Sequence, residues 1–193
     1  MRRELIVVGM VMLLAPAALG QGITGFTGGS EFNAYYGGTT GDVVGFRFTV
    51  AGSSPIEIDQ LGVWNADNNG GGAGLTSAHQ VGIWDASQAL LASATVDPST
   101  GTVIGDWTYA SITPLTLNPG ETYTAGVLYT ETDGDSYISS ASSASTAPEV
   151  TWVQSVYPAA TSLGFVYPVN NSTSFGRFGP NFTFSVVPVE LQS

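Results

Sequence analysis

The chain writes nearly the same phrase twice. Leu61-Gly62-Val63-Trp64-Asn65-Ala66 returns as Val81-Gly82-Ile83-Trp84-Asp85-Ala86. In an extended strand, alternate side chains share a face, so the Gly and Trp of each phrase lie together and the two aliphatics point the other way. A Gly beside a Trp leaves bare backbone over which an indole can lie. The pattern fits paired β-strands carrying a large aromatic payload.

Period-two alternation recurs along the chain. Val44, Phe46, Phe48 and Val50 share one face, with Arg47 and Thr49 on the other. Ile56 and Ile58 alternate with Glu57 and Asp59, but Leu61 and Val63 continue on the opposite parity. A one-residue slip exchanges faces, which predicts a β-bulge or a change of sheet near Gln60. Further alternating sets are Leu90/Ala92/Ala94/Val96, Trp107/Tyr109, Tyr123/Ala125/Val127/Tyr129, Trp152/Val156 and Phe182/Phe184/Val186. Turn signals such as Gly52-Ser53-Ser54-Pro55, Asn118-Pro119-Gly120 and Asp133-Gly134-Asp135 separate them. Ser136 to Pro148 is rich in Ser and Ala and reads as an exposed loop, the alternative of a domain boundary being disfavoured because Val150 to Val187 is too small to bury its own core. The expected fold class is all-β, a two-sheet antiparallel β-sandwich of Ig-like or jelly-roll type.

The N-terminus reads as an export signal over residues 1–20. Arg2 and Arg3 precede an apolar run from Leu5 to Leu14, and Ala18 and Gly20 suit cleavage before Gln21. That run is shorter than the roughly 20 residues of a membrane-spanning helix. Residues 21–187 then form one sandwich domain and 188–193 a tail. No Cys is present, so neither a lipid-anchored Cys nor a disulfide exists, and an exported domain must hold itself by its core. The net charge is −11, and Lys is absent. Nucleic acids and anionic membrane surfaces, which demand Lys and Arg, are excluded as partners. The acidity suits solubility outside the cell.

Six phrases carry a family resemblance, in order: Val44 to Val50, Leu61 to Trp64, Ser77-Ala78-His79-Gln80-Val81-Gly82-Ile83-Trp84-Asp85, Leu90 to Val96, Pro114 to Leu117, and Pro119 to Tyr123. They resemble a bacterial secreted domain-of-unknown-function family, DUF4082, over roughly residues 30–187. The resemblance implies an extracellular Ig-like or jelly-roll sandwich, often a module of surface proteins, and carries no catalytic residues. Gly179 to Pro188 resembles the last strand of proteins that continue into a Pro-Glu-Pro sorting tail. Here Val187-Pro188-Val189-Glu190 runs only to Ser193. The expectation is either release or a longer parent chain.

His79 is the lone titratable group near neutral pH, with Ser77 and Asp85 nearby in sequence. A Ser/His/Asp triad needs spatial convergence and an oxyanion hole, and no Gly-x-Ser-x-Gly elbow is present. The expected role is a strand-entry His bonded to a loop, whose replacement by Ala leaves folding mostly intact. Paired carboxylates of glycosidase type cannot be placed across a cleft. Two loops offer close-set oxygens for a structural calcium ion: Asp67 with Asn69, and Asp133 with Asp135. Calcium takes roughly six to eight oxygens, and ordinary Asp/Asn/Gly turns explain both loops as well. No other cofactor is expected. Tyr35, Tyr36, Trp64 and Trp84 are the candidates for a sugar-stacking face, although strand Trp residues usually belong to a core. Asn170, Asn171 and Asn181 sit in glycosylation-type sequons by chance.

The function expected from these features is a secreted, non-catalytic extracellular or cell-surface module, structural or adhesive. Its partners would be extracellular polysaccharide or other surface proteins. A carbohydrate-binding module using exposed aromatics is the alternative, and a hydrolase the third.

Overall fold

The computed structural model describes residues 19–32, 38–65, 74–160 and 163–188. Two antiparallel sheets face each other. The five-stranded sheet runs β1 (Gly20–Gln21), β13 (Pro180–Val186), β4 (Ile56–Trp64), β8 (Trp107–Leu117), β7 (Thr102–Ile104). The six-stranded sheet runs β12 (Asn170–Ser172), β11 (Val150–Tyr157), β3 (Asp42–Val50), β9 (Thr122–Tyr129), β5 (His79–Trp84), β6 (Leu90–Val96). A separate ribbon pairs β2 (Ile23–Phe32) with β10 (Tyr137–Thr146). The architecture is the all-β sandwich expected from the alternation.

The alternating apolar sets supply the interior. Ile56, Ile58, Leu61, Val63, Phe182 and Phe184 of one sheet meet Val44, Phe46, Phe48, Val81, Ile83, Ala125 and Val127 of the other, all of them buried. Phe48 and Phe182 bring their rings to 4.8 Å across the gap. Each such side chain contributes about 2 kcal/mol of apolar burial, so the core alone can hold a chain without disulfides.

The predicted slip is a β-bulge centred on Asp59. On β4, Ile58 pairs with Phe184 and Gln60 with Thr183, leaving Asp59 without a partner on β13. On the other side the register jumps from Leu115 to Ser111 across Ile58 and Gln60, so β8 loops out over Ile112 to Pro114. The extra residue on β4 is what returns Leu61 and Val63 to the interior.

The twin phrases do not pair with each other. The first lies in β4 of the five-stranded sheet and the second in β5 of the six-stranded sheet. In each, the aliphatics face the interior while Gly and Trp face outward, under a cover. Trp152 and Val156 also part company. A bulge at Val153 puts Trp152 opposite Phe48 but Val156 opposite Gly45, on the other face. The segment expected to be an exposed loop is mostly strand β10. Its small side chains let β2 run alongside, and Ile138, Ala141 and Ala147 are buried. At the expected cleavage point, Gly20 and Gln21 pair with Phe184 and Thr183. Residues 1–18, most of the expected export signal, lie outside the described residues.

Candidate functional site

β5 begins at His79, and its imidazole points into the sandwich interior beside Tyr129, with ring centroids 4.8 Å apart. Nδ1 lies 2.9 Å from the Leu128 carbonyl oxygen of β9. Nε2 lies 2.8 Å from Asp135 Oδ2. Both partners are acceptors only, so satisfying both requires a hydrogen on each nitrogen, which is the imidazolium form. The side chains of His79 and Asp135 are almost wholly buried.

Asp135 is engaged as well. Its Oδ1 accepts from Thr76 N at 2.8 Å, and Thr76 Oγ1, whose one hydrogen also has the Asp133 carbonyl oxygen in reach, lies 2.9 Å away. Its Oδ2 accepts from Ser77 N at 2.9 Å in addition to His79. Asp133 anchors the same turn: Thr130 N and Oγ1 and Asp135 N donate to its carboxylate, and Thr76 Oγ1 and Ser77 Oγ lie within bonding distance of its carbonyl oxygen. The segment before β5 is thereby tied to the loop after β9.

The electrostatics follow from the geometry. Burial by itself would lower the His79 pKa, but the Asp135 bond, the Leu128 carbonyl and the charges of Asp133 and Asp135 outweigh it and raise the pKa above 6.5. Burial would raise the Asp135 pKa, but the bonds from His79 and Thr76 outweigh it and hold it below 3.8. The arrangement is a buried, hydrogen-bonded ion pair.

A general base needs a free nitrogen aimed at a nucleophile, and both His79 nitrogens are engaged. Ser77 Oγ lies 3.2 Å from the Asp133 carbonyl oxygen, to which it donates. Asp85 is remote from this cluster and closes its own exposed turn with Ser87 and Ala89, which keep its pKa low. His79, Asp133 and Asp135 do bring three ligand-type atoms within 4.8 Å of one another. Yet the Asp135 carboxylate already accepts from Thr76 N, Ser77 N and His79 Nε2, which carries a proton toward it. The other calcium candidates, Asp67 and Asn69, lie outside the described residues.

The stacking candidates separate. Tyr35 and Tyr36 lie outside the described residues. Trp64 and Trp84 are only 2% and 3% exposed, which corrects the expectation that they offer a sugar-stacking face. Trp64 packs on Phe26 at 5.0 Å and on Trp107 at 5.1 Å. Trp84 lies over Gly82 and Gly126, roofed by Phe165 at 5.2 Å and Tyr167 at 6.4 Å. Asn181 is buried with both amide atoms bonded to the backbone of Ile23, so its sequon is structural.

The His79–Asp135 pair spans 56 positions and had no local signal. His79 itself was legible as a strand-entry residue bonded to a loop. The Arg47–Tyr167 contact, with Nε donating to the phenol oxygen at 3.1 Å, was also missed, because 120 positions separate the two.

The family model described as a domain of unknown function, DUF4082, matches residues 33–176. The chain belongs to the DUF4082 family. No curated protein and no solved structure matches it. The matched region takes in the whole of β5 and its Asp135 partner, together with both Gly–Trp phrases.

Proposed function

We propose that this member of the DUF4082 family is a secreted bacterial module of the cell exterior, structural or adhesive, with no turnover of an outside substrate. The observation that carries the reading is the state of its lone imidazole. Both ring nitrogens are engaged inside the protein, and each oxygen of the carboxylate partner accepts from a backbone N–H. The pair acts as a clasp between two loops. The apolar run after Arg2 and Arg3 and the absence of Cys and Lys support export and argue against nucleic acid as a partner. Trp64, Trp84 and Trp107 are packed for cohesion, so adhesion would use loops and polar strand faces.

Two measurements test this. A panel of ester, peptide and glycoside substrates should show no turnover above buffer. Hydrolysis that disappears in His79→Gln would replace the proposal with an enzyme. A glycan array should show no sugar preference. Selective binding abolished by Tyr35→Ala with Tyr36→Ala would favour the carbohydrate-binding alternative.

A further inference from the structure

The two sheets end in four strands, and three of these are short: β1 has two residues, β7 and β12 three each. Short edges limit the tendency of an unpaired strand to take on another chain. β6 is the exception. It has seven residues, Leu90-Leu91-Ala92-Ser93-Ala94-Thr95-Val96, with neither Pro nor charge among them.

The ladder fixes which of its backbone groups face outward. Val50 N donates to the Glu121 carbonyl at 3.2 Å. Bonded and unbonded pairs alternate along an antiparallel ladder, so Gly45 and Gly126 are an unbonded pair. Gly126 therefore turns its N–H and C=O to Gly82 of β5. Gly82 in turn leaves Ser93 of β6 with its own N–H and C=O directed away from the sheet, and Thr95 repeats this two residues on. Neither has a backbone partner on that side among the described residues. Both residues are exposed.

A groove runs beside this edge, between β6 and the looped-out part of β8. Two hollows of about 520 and 310 Å³ share Leu91 and Leu115 as walls, and Ile112 and Ala92 extend the apolar lining. Leu91 is the extra residue of a bulge opposite β5 and is 39% exposed. The charged side chains on the rim are Asp85 and Glu121, and no Lys or Arg lines the groove.

We propose that β6 accepts an extended, cationic segment of a partner protein as a further strand of its sheet. The segment's main chain would bond to Ser93 and Thr95. An aliphatic side chain would enter between Leu91 and Leu115, and a Lys or Arg would reach Asp85 and Glu121. Charge decides between occupants. A second copy of this chain, with net charge −11, would bring more carboxylates to an acidic rim, whereas a cationic segment neutralises it. The inference goes beyond the proposed exterior role, which would stand without it.

The test is an array of immobilised heptapeptides, Val or Leu alternating with Thr, ended by Lys, Ser or Glu and probed with the purified protein. Lys-ended peptides should bind about tenfold more tightly than Glu-ended ones. Asp85→Asn combined with Glu121→Gln should narrow that preference. A Pro placed mid-peptide keeps the charge but breaks the strand, and should weaken binding about tenfold. Hydrogen exchange at the Ser93 and Thr95 amides should slow in the complex, while Ala94, already in the ladder, changes little. Ser93→Pro removes an N–H that the native ladder does not use, so it should abolish binding with the urea midpoint kept. No binding by any peptide, equal binding of the Pro-interrupted peptide, or unchanged exchange at Ser93 and Thr95 overturns the strand addition. Equal binding of Glu-ended peptides overturns the cationic partner. A dimer in light scattering that Ser93→Pro dissolves overturns it too, by giving the edge to a second copy.

Discussion

The two Gly–Trp phrases start from almost the same residues and reach almost the same burial, yet they are covered by different kinds of structure. Trp64 lies on the outer face of the five-stranded sheet in register with Trp107, while Gly62 lies opposite Tyr109. Its cover is a strand: Phe26 of β2 touches both indoles and stacks on Phe178 at 5.6 Å. Trp84 lies on the outer face of the six-stranded sheet, where Gly45, Gly126 and Gly82 stand side by side on β3, β9 and β5. A Cβ on Gly82 or Gly126 would come within 2.8 Å or 3.2 Å of the indole. Its cover is a loop through Phe165 and Tyr167, tied down by the Arg47–Tyr167 bond and by Gly164 N donating to the Gly41 carbonyl. Equal exposure therefore hides unequal restraint. A strand held by a ladder opens only with its sheet, whereas a loop held by a few bonds opens alone.

The largest expected effect comes from deleting the rings. Trp64→Ala should cost about 4–5 kcal/mol and Trp84→Ala about 3 kcal/mol, because a loop collapses into a cavity more readily than a strand. Urea denaturation of both variants checks the order, and a larger loss for Trp84→Ala would break the comparison.

Asp135→Asn comes next, with a loss of about 3 kcal/mol, because it strands a buried imidazolium. By the same reasoning His79→Ala is not the mild change that the sequence suggested. The effect should be felt on the Trp84 side, since His79 begins the strand that carries that ring. The pH dependence has a definite sign. The His79 contribution is full below its unfolded pKa, about 6.5, and is lost as pH rises through the higher folded value. The Asp135 contribution is full above its unfolded pKa, about 3.9, and is lost as pH falls through the lower folded value. Stability should therefore be greatest between about pH 4 and 6.5. Urea midpoints across pH should show this plateau in the wild type, and His79→Gln should flatten its alkaline edge.

Smaller still is Arg47→Ala. It removes a bond to the Tyr167 hydroxyl and a guanidinium 5.7 Å from the ring centre. The cost should be about 1 kcal/mol. The sharper readout is local: acrylamide quenching of Trp84 should rise while that of Trp64 stays unchanged, measured with the other Trp residues replaced by Phe. Equal quenching of both rings would mean that the loop cover is as firm as the strand.

Much of the framework could be read in advance. Val44, Phe46, Phe48 and Val50 are all buried, as their alternation requires, and Tyr123 to Tyr129 behave likewise. The slip between Ile58 and Leu61 located the bulge to within a residue. Failures arose where a second irregularity intervened. The bulge at Val153 leaves no trace in the sequence, so alternation alone places Val156 with Trp152, on the wrong side. The β10 segment was misread because its small polar residues look like a loop until β2 is laid beside them. The site was less legible than the fold. Asp133 and Asp135 stand out in the sequence as oxygen ligands, but the imidazolium that engages Asp135 comes from β5, the strand beside β9.

By itself the sequence determined that this chain builds strands, where they break and which side chains share a face. Those are properties of an extended backbone over a few residues, where sterics and apolar burial act through neighbours. Only the tertiary structure decided what each face meets: a strand over Trp64, a loop over Trp84, Asp135 against His79, and Thr183 against Asp59 and Gln60. These meetings join positions far apart in the chain. Nothing local to either partner encodes them, because they arise when whole sheets settle into the one register that closes the core.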